Sequence, residues 1–346
     1  MSSVRARISV LAVALIAGAV APDAYAQQAG DGRLPASVFD VAPPSARVRG
    51  VPGTMAVQSR PCPALAAANA RRRVVDVAVQ EWAFFGLRVA DATDVDDDAP
   101  GPGAGDGGNF DGRRRGRGRL SPAEATRVAS SIAGYWAVTP EGSWIVARQN
   151  ERWEGPDGIA ARWNAPWSAA FISWVMCEAG LGATSQFQRA IAHHAYIDQA
   201  IRARDGRASA SAFEAYDAGE TTIVPGDMLC SSRRPAYRTI ADRRRQIGVG
   251  ARSHCDIVVK VEEARGRILA IGGNVRGVVS LKILPAVRES GKALRAGTGD
   301  DDRPMFAHLK LRGAPIDAGA LDTSPTIRAF GCARPAAAAG LVTATC

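Results

Sequence analysis

One stretch limits the folds open to this chain more than any other: PWSAAFISWVMCEAGLG, residues 166–182. Between Trp167 and Cys177 only Ser168 and Ser173 are polar. A helix that is apolar on every side must be enclosed by other elements, so this segment predicts the central helix of a domain. Gly180 and Gly182 stop it. Ser168 falls in its first turn, where unpaired N–H groups and the positive end of the helix dipole favour a developing anion. Reactive cysteines are activated at such places, but a serine there also reads as a helix cap or a small packing residue. On this stretch alone both roles stay open.

The flanking sequence supplies helices first and strands second. Residues 64–86 carry Val74, Val77, Ala78, Trp82 and Phe85 at helical spacing, ending near Gly86. Ser121 and Pro122 suit a cap followed by proline in the first turn of a second helix. Residues 144–167, rich in tryptophan, are expected to be irregular, their aromatics lining a groove or covering the core. FQRAIAHHAYIDQAIRAR, residues 187–204, reads as an amphipathic helix. Past Gly219 the segments PGDMLC, SHCDIVVKVEE and RILAIGGNV are short, β-rich and bounded by turns, with a hairpin at EARGR. Residues 305–313 are expected to complete the sheet, with His308 at the surface. The order predicts an α+β domain with an antiparallel sheet.

The strand SHCDIVVKVEE brings a base into play. Alternation places His254, Asp256, Val258 and Lys260 on one face and Cys255, Ile257, Val259 and Val261 on the other. A histidine at a strand start can take a proton from a hydroxyl or thiol if another group orients its second nitrogen. Asp256, on the same face, and Asn274, at the end of the next strand, compete for that role. His193 and His194 are adjacent on a helical pattern, so they do not form an i, i+4 metal pair; His193 and Tyr196, with Trp167, are candidate substrate contacts.

The ordered set PWSAAFISWVM, PGDMLC, SHCDIVV and IGGNV resembles a bacterial family, domain of unknown function 2272, with a core like that of the CHAP amidohydrolases and peptidases. Those are papain-like cysteine hydrolases related to the NlpC-type cell-wall peptidases. They place Cys at the start of the central helix in patterns such as W-C-A-x-F, then His at a strand start, then a polar residue one strand later. The resemblance covers roughly residues 163–279, with flanking helices at 74–86 and 123–138. It implies a papain-like α+β fold with Ser168 in the nucleophile position, His254 as base and Asn274 as orienting residue. Two departures stand out: Ser replaces Cys, and Gly272 stands where CHAP enzymes often carry Glu. A serine hydroxyl needs general-base assistance during attack, and Asn stabilises an imidazolium less than Asp does, a deficit that Asp256 would make good. Cys177 lies about 13 Å along the helix from Ser168 and cannot replace the thiol. Cys230 and Cys255, on neighbouring strands, are expected to form a disulfide beneath the site.

The start of the chain is a targeting signal: Arg5 and Arg7, an apolar stretch over residues 8–20, and a small-x-small site at AYA, predicting cleavage near Ala26 and a periplasmic or secreted product. No later apolar run reaches the roughly 20 residues that span a bilayer. Residues 27–61 are expected as a flexible segment and residues 62–312 as a single domain. Residues 91–119 form a solvated, disordered insertion of acidic, Gly/Pro-rich and basic blocks, and 313–346 a tail. The aspartates of the insertion lack the EF-hand pattern; neither a metal nor a cofactor is expected. Six cysteines fit an oxidising compartment. A formal net charge of +9 favours anionic envelope polymers, and export removes nucleic acid as a routine partner. The expected function is therefore hydrolysis of amide or peptide bonds in peptidoglycan by a Ser-His-Asn(Asp) arrangement. The alternative is an inactive papain-like module that binds wall peptides or a partner protein.

Overall fold

The central helix is as enclosed as its composition demands: in the computed structural model all of its residues, Ser168–Glu178, are buried. The structure describes residues 32–91, 121–234, 236–297, 303 and 305–333. The expected signal segment 1–26 and nearly all of the expected insertion lie outside those residues. No helix among the described residues is long and apolar enough to cross a membrane.

The chain enters through a small hairpin, β1 (Val48–Arg49) and β2 (Ala56–Val57). Helix α1 (Ala70–Phe84) follows, then strand β3 (Arg88–Asp91), α2 (Pro122–Trp136) and α3 (Gly142–Glu154). The central helix is α4 (Ser168–Glu178), followed by α5 (His194–Arg204), β4 (Phe213–Tyr216), β5 (Met228–Arg234) and the short α6 (Ile240–Arg244). Strands β6 (Arg252–Glu262), β7 (Arg267–Val275), β8 (Val278–Val287), β9 (Arg295–Ala296) and β10 (Met305–Leu311) lead to α7 (Pro325–Ala333). The main sheet has the order β3-β8-β7-β6-β5-β10-β4, with β9 on β8. Its pairings are antiparallel except for β3 on β8, which is parallel, so the sheet is mixed rather than antiparallel throughout. The fold is α+β.

Helices α1 and α4 pack over the middle of this sheet and α2 packs against α4, and one apolar cluster joins the three to Cys255, Ile257, Val259 and Ile271. The opposite face has a smaller cluster, Leu229, Val258, Ile268, Ala270 and Leu284, with Leu294 and Ala296 closing over it. The close approach of α4 depends on Gly273: a Cβ there would lie 2.6 Å from the Phe171 side chain.

Several expectations need correction. The first helix begins at Ala70, after a 3-10 turn at Ala67–Asn69, rather than at residue 64. Residues 142–154 are helical, because Ile145, Val146, Gln149 and Trp153 form one buried stripe. The amphipathic pattern over 187–204 is helical only from His194; Ala190 N–H instead bonds Ser173 Oγ at 3.1 Å, which ties the preceding non-helical segment to α4. Residues 32–61, expected as flexible, are tied down: Phe39, Val41 and Met55 are buried, and Arg47 makes a buried ion pair with Glu178 at 2.7 Å. The tail beyond residue 312 also docks, burying Ala320 and Leu321 before α7. His308 lies within the sheet, 1% exposed, its Nε2 bonding Asp227 Oδ2 at 2.8 Å.

Candidate active site

Pro166 and Trp167 turn the chain into α4, and Ser168 is its first helical residue. The N-cap is Trp167, with no side-chain cap. The Ser168 hydroxyl does not bond the helix backbone; it lies between two imidazoles, 2.9 Å from His254 Nδ1 and 2.9 Å from His193 Nε2. The first i→i−4 bond of the helix runs from Phe171 N–H to Trp167 carbonyl. The N–H groups of Ser168, Ala169 and Ala170 therefore precede the helical ladder, in the turn where the helix dipole favours negative charge.

Strand β6 delivers the base and its partner. His254 and Asp256 share a strand face, as alternation predicts, and His254 Nε2 lies 2.8 Å from Asp256 Oδ1. An ionised carboxylate only accepts, so Nε2 carries the proton and Nδ1 presents its lone pair to the Ser168 hydroxyl. Asp256 Oδ2 accepts a 2.9 Å bond from Lys282 Nζ on β8. Burial pushes the Asp256 carboxyl up, but His254 and Lys282 beside it hold it well below the usual carboxylate range. Burial also pulls the His254 imidazole down from its ordinary value, and Asp256 restores only part of the loss. The resting pair is a neutral imidazole on a carboxylate.

Gly272 makes this pair possible. A Cβ at Gly272 would fall 1.9 Å from Asp256 Oδ1 and 3.1 Å from His254 Nε2. The missing side chain at Gly272 leaves the space that the Asp256 carboxylate occupies.

His193, the N-cap of α5, also reaches Ser168, with its ring beside that of His254 at a centroid separation of 5.2 Å. Its Nδ1 receives the Cys255 N–H at 3.2 Å and the Tyr196 hydroxyl. Cys255 has an N–H to spare because of its place in the ladder. It stands opposite Cys230 with Cα atoms 4.1 Å apart, the spacing of a pair that exchanges no backbone bonds. On its other side, β7 begins to pair only at Ile257. Cys230 and Cys255 are joined as a disulfide, and Cys62 is joined to Cys177.

Three expected site residues take other roles. Asn274 does not orient the base; no hydrogen bond links it to His254 among the described residues, and it turns the chain at φ 56° at the end of β7. Trp167 is not a substrate contact but part of the core, 2% exposed, with ring centroids 5.8 Å from both Phe85 and Tyr135. Tyr196 is buried too, and it positions His193. Lys282 is a further site residue, marked in the sequence only by a lysine interrupting the apolar run VVSLKILPAV.

Ser168 and His254 are each 7% exposed, so the centre lies just beneath the surface. A separate cleft of about 500 Å³ is lined by Trp144, Arg148, Gln149, Arg152, Asn164 and Ala165, and its last two wall residues lead into Pro166. No cluster of three or more His, Cys, Asp or Glu side chains suited to a metal occurs among the described residues.

A family model described as an uncharacterized protein conserved in bacteria, DUF2272, matches residues 125–311, more than half of the chain. That span contains Ser168, His193, His254, Asp256 and Lys282. No curated protein and no solved structure matches.

Proposed function

We infer that this chain, which belongs to the DUF2272 family of bacterial proteins, is an exported hydrolase with a papain-like core, acting on amide or peptide bonds of peptidoglycan through Ser168, His254 and Asp256. The observation that carries the reading is the relay from the Ser168 hydroxyl to His254 Nδ1 and from His254 Nε2–H to Asp256, at 2.9 and 2.8 Å. These are the nucleophile–base and base–orienter distances that acyl transfer needs. Ser168 Oγ adds to the carbonyl carbon as its proton passes to His254 Nδ1. Asp256 stabilises the imidazolium so formed, and the helix-start N–H groups, in a turn that favours negative charge, would serve the oxyanion. Collapse breaks the C–N bond, and the amine leaves with the proton held on Nδ1. Water then cleaves the acyl-serine by the same proton path in reverse. Two disulfides suit an oxidising compartment, and the basic balance of the chain suits an anionic polymer.

Ser168→Ala tests this reading. It should abolish cleavage of purified muropeptides while leaving circular dichroism and thermal unfolding unchanged; full activity in the variant eliminates the serine mechanism. A second reading draws on the enclosure of Ser168: a papain-like module that holds wall peptides or a partner protein without cutting. Covalent labelling of Ser168 by a serine-directed phosphonate supports the enzyme. Activity appearing only in Ser168→Cys, over an inert parent, supports the module.

A further inference from the structure

We propose that His193 is a second catalytic histidine of the Ser168 centre: a neutral hydrogen-bond donor that aims the serine proton at His254 and then serves the oxyanion. The proposal rests on the hydrolase reading and divides the chemistry between two imidazoles.

The division follows from which groups can only donate. The Cys255 N–H, 3.2 Å from His193 Nδ1, has no lone pair to offer. Nδ1 must therefore accept, and the Tyr196 hydroxyl points at the same atom. The imidazole is then the Nε2–H tautomer, and the 2.9 Å contact to Ser168 Oγ is a donation to the serine. With its lone pair engaged by two donors, His193 cannot serve as the base. Burial, with His254 adding to it, holds His193 well below its ordinary value and so keeps it uncharged. From the other end, Asp256 requires the proton of His254 on Nε2, which leaves Nδ1 as an acceptor. Both ends impose the same direction: His193 donates to Ser168, Ser168 to His254, and His254 to Asp256.

This arrangement sets the hydroxyl rotor before substrate arrives. During addition Oγ shares a lone pair with the carbonyl carbon, and negative charge grows on the oxygen bonded to that carbon. An N–H already within 2.9 Å of Oγ needs only a small shift to reach it. No proton leaves His193 in the step; the serine proton goes to His254 and then to the amine.

The test uses the full-length protein. Nitrogen-15 NMR of the imidazoles should show His193 with Nδ1 unprotonated and Nε2 protonated at neutral pH. His193→Ala should lower kcat on muropeptides by about 100- to 1,000-fold, the usual loss of one oxyanion donor, with KM little changed. Tyr196→Phe, which leaves the Cys255 N–H in place, should cost much less. An Nδ1–H tautomer, an imidazolium at neutral pH, or a folded His193→Ala with unchanged kcat overturns the proposal. Where His193→Ala does not fold, the tautomer in the parent protein decides. A parent that neither cleaves nor takes the phosphonate overturns the hydrolase reading and this role with it, whereas a wrong tautomer in an active parent overturns this role alone.

Discussion

A carboxylate and a carboxamide both accept a bond from an imidazole N–H, but only the carboxylate is forced to accept and only it carries charge to match an imidazolium. That difference separates Asp256 from Asn274 as the partner of His254. Asp256→Asn should keep the fold yet cut turnover in the muropeptide assay by about 10⁴-fold, the scale seen when an amide permits the wrong tautomer; retention of activity would show that the carboxylate is dispensable. The two histidines also link the site to stability. Burial lowers both imidazoles from the ordinary 6.5, so below about pH 6.5 the unfolded chain binds more protons than the folded one. Stability from these groups is complete above that pH and falls as pH drops towards the folded values. Asp256, held low, acts in the same sense at still lower pH. Urea midpoints should therefore decline from about pH 7 to pH 5, and His193→Phe, if it folds, should flatten the decline. A midpoint that rises on acidification would contradict neutral resting imidazoles.

At the scale of elements, the site is the meeting of a helix start with a strand start, and the two glycines at the end of IGGNV set its tolerances. Gly272 leaves room for the Asp256 carboxylate and Gly273 for the Phe171 ring. The two neighbours should respond differently to alanine. Gly273→Ala pushes α4 from β7 and should cost about 1–3 kcal/mol, as overpacking does, seen as a lower unfolding midpoint. Gly272→Ala displaces Asp256 from His254 and should lower kcat beyond any loss of stability. Equal effects of the two substitutions on kcat would show that the glycines do not divide the work this way. Other elements depart from their local pattern for physical reasons. In residues 144–154 the helical stripe of Ile145, Val146, Gln149 and Trp153 is masked in the sequence by charged neighbours and by the exposed Trp144. The apolar residues of 187–192 look helical, yet they are tied to α4 instead, because Ser173 Oγ takes the Ala190 N–H.

At the scale of the whole molecule, the described segment before α1 is bound firmly to the helices. Three strong anchors hold the N-terminal segment, among other bonds: Arg33 makes paired 2.7 Å bonds to the buried Glu81, Arg47 pairs with Glu178, and Cys62 is bonded to Cys177. The last two anchors grip the far end of the helix that begins with Ser168. A disulfide spanning 115 residues of sequence restricts the unfolded chain strongly, and native disulfides of this kind are worth about 2–5 kcal/mol. Replacing Cys62 and Cys177 together by alanine should lower the denaturant midpoint accordingly while leaving the imidazole tautomers as they are. An unchanged midpoint would mean that the two ion pairs hold the segment without the covalent link.

Local composition and periodicity determined the central helix, the strand carrying His254 and Asp256, and the candidacy of Ser168, because each is written in residues close together along the chain. The enclosure of α4 is a property of eleven consecutive residues, and the shared face of His254 and Asp256 follows from a period of two. What the tertiary structure alone decided is which side chains meet. Lys282 reaches Asp256 through strand register, and His193 reaches Ser168 because Cys255 has an N–H that neither neighbouring strand claims. Trp167 turns inward against Phe85 and Tyr135 from segments distant in sequence, and Tyr196 turns inward against Phe187 of the loop before its own helix. Contacts of that kind depend on long-range pairing between segments, which no local pattern encodes.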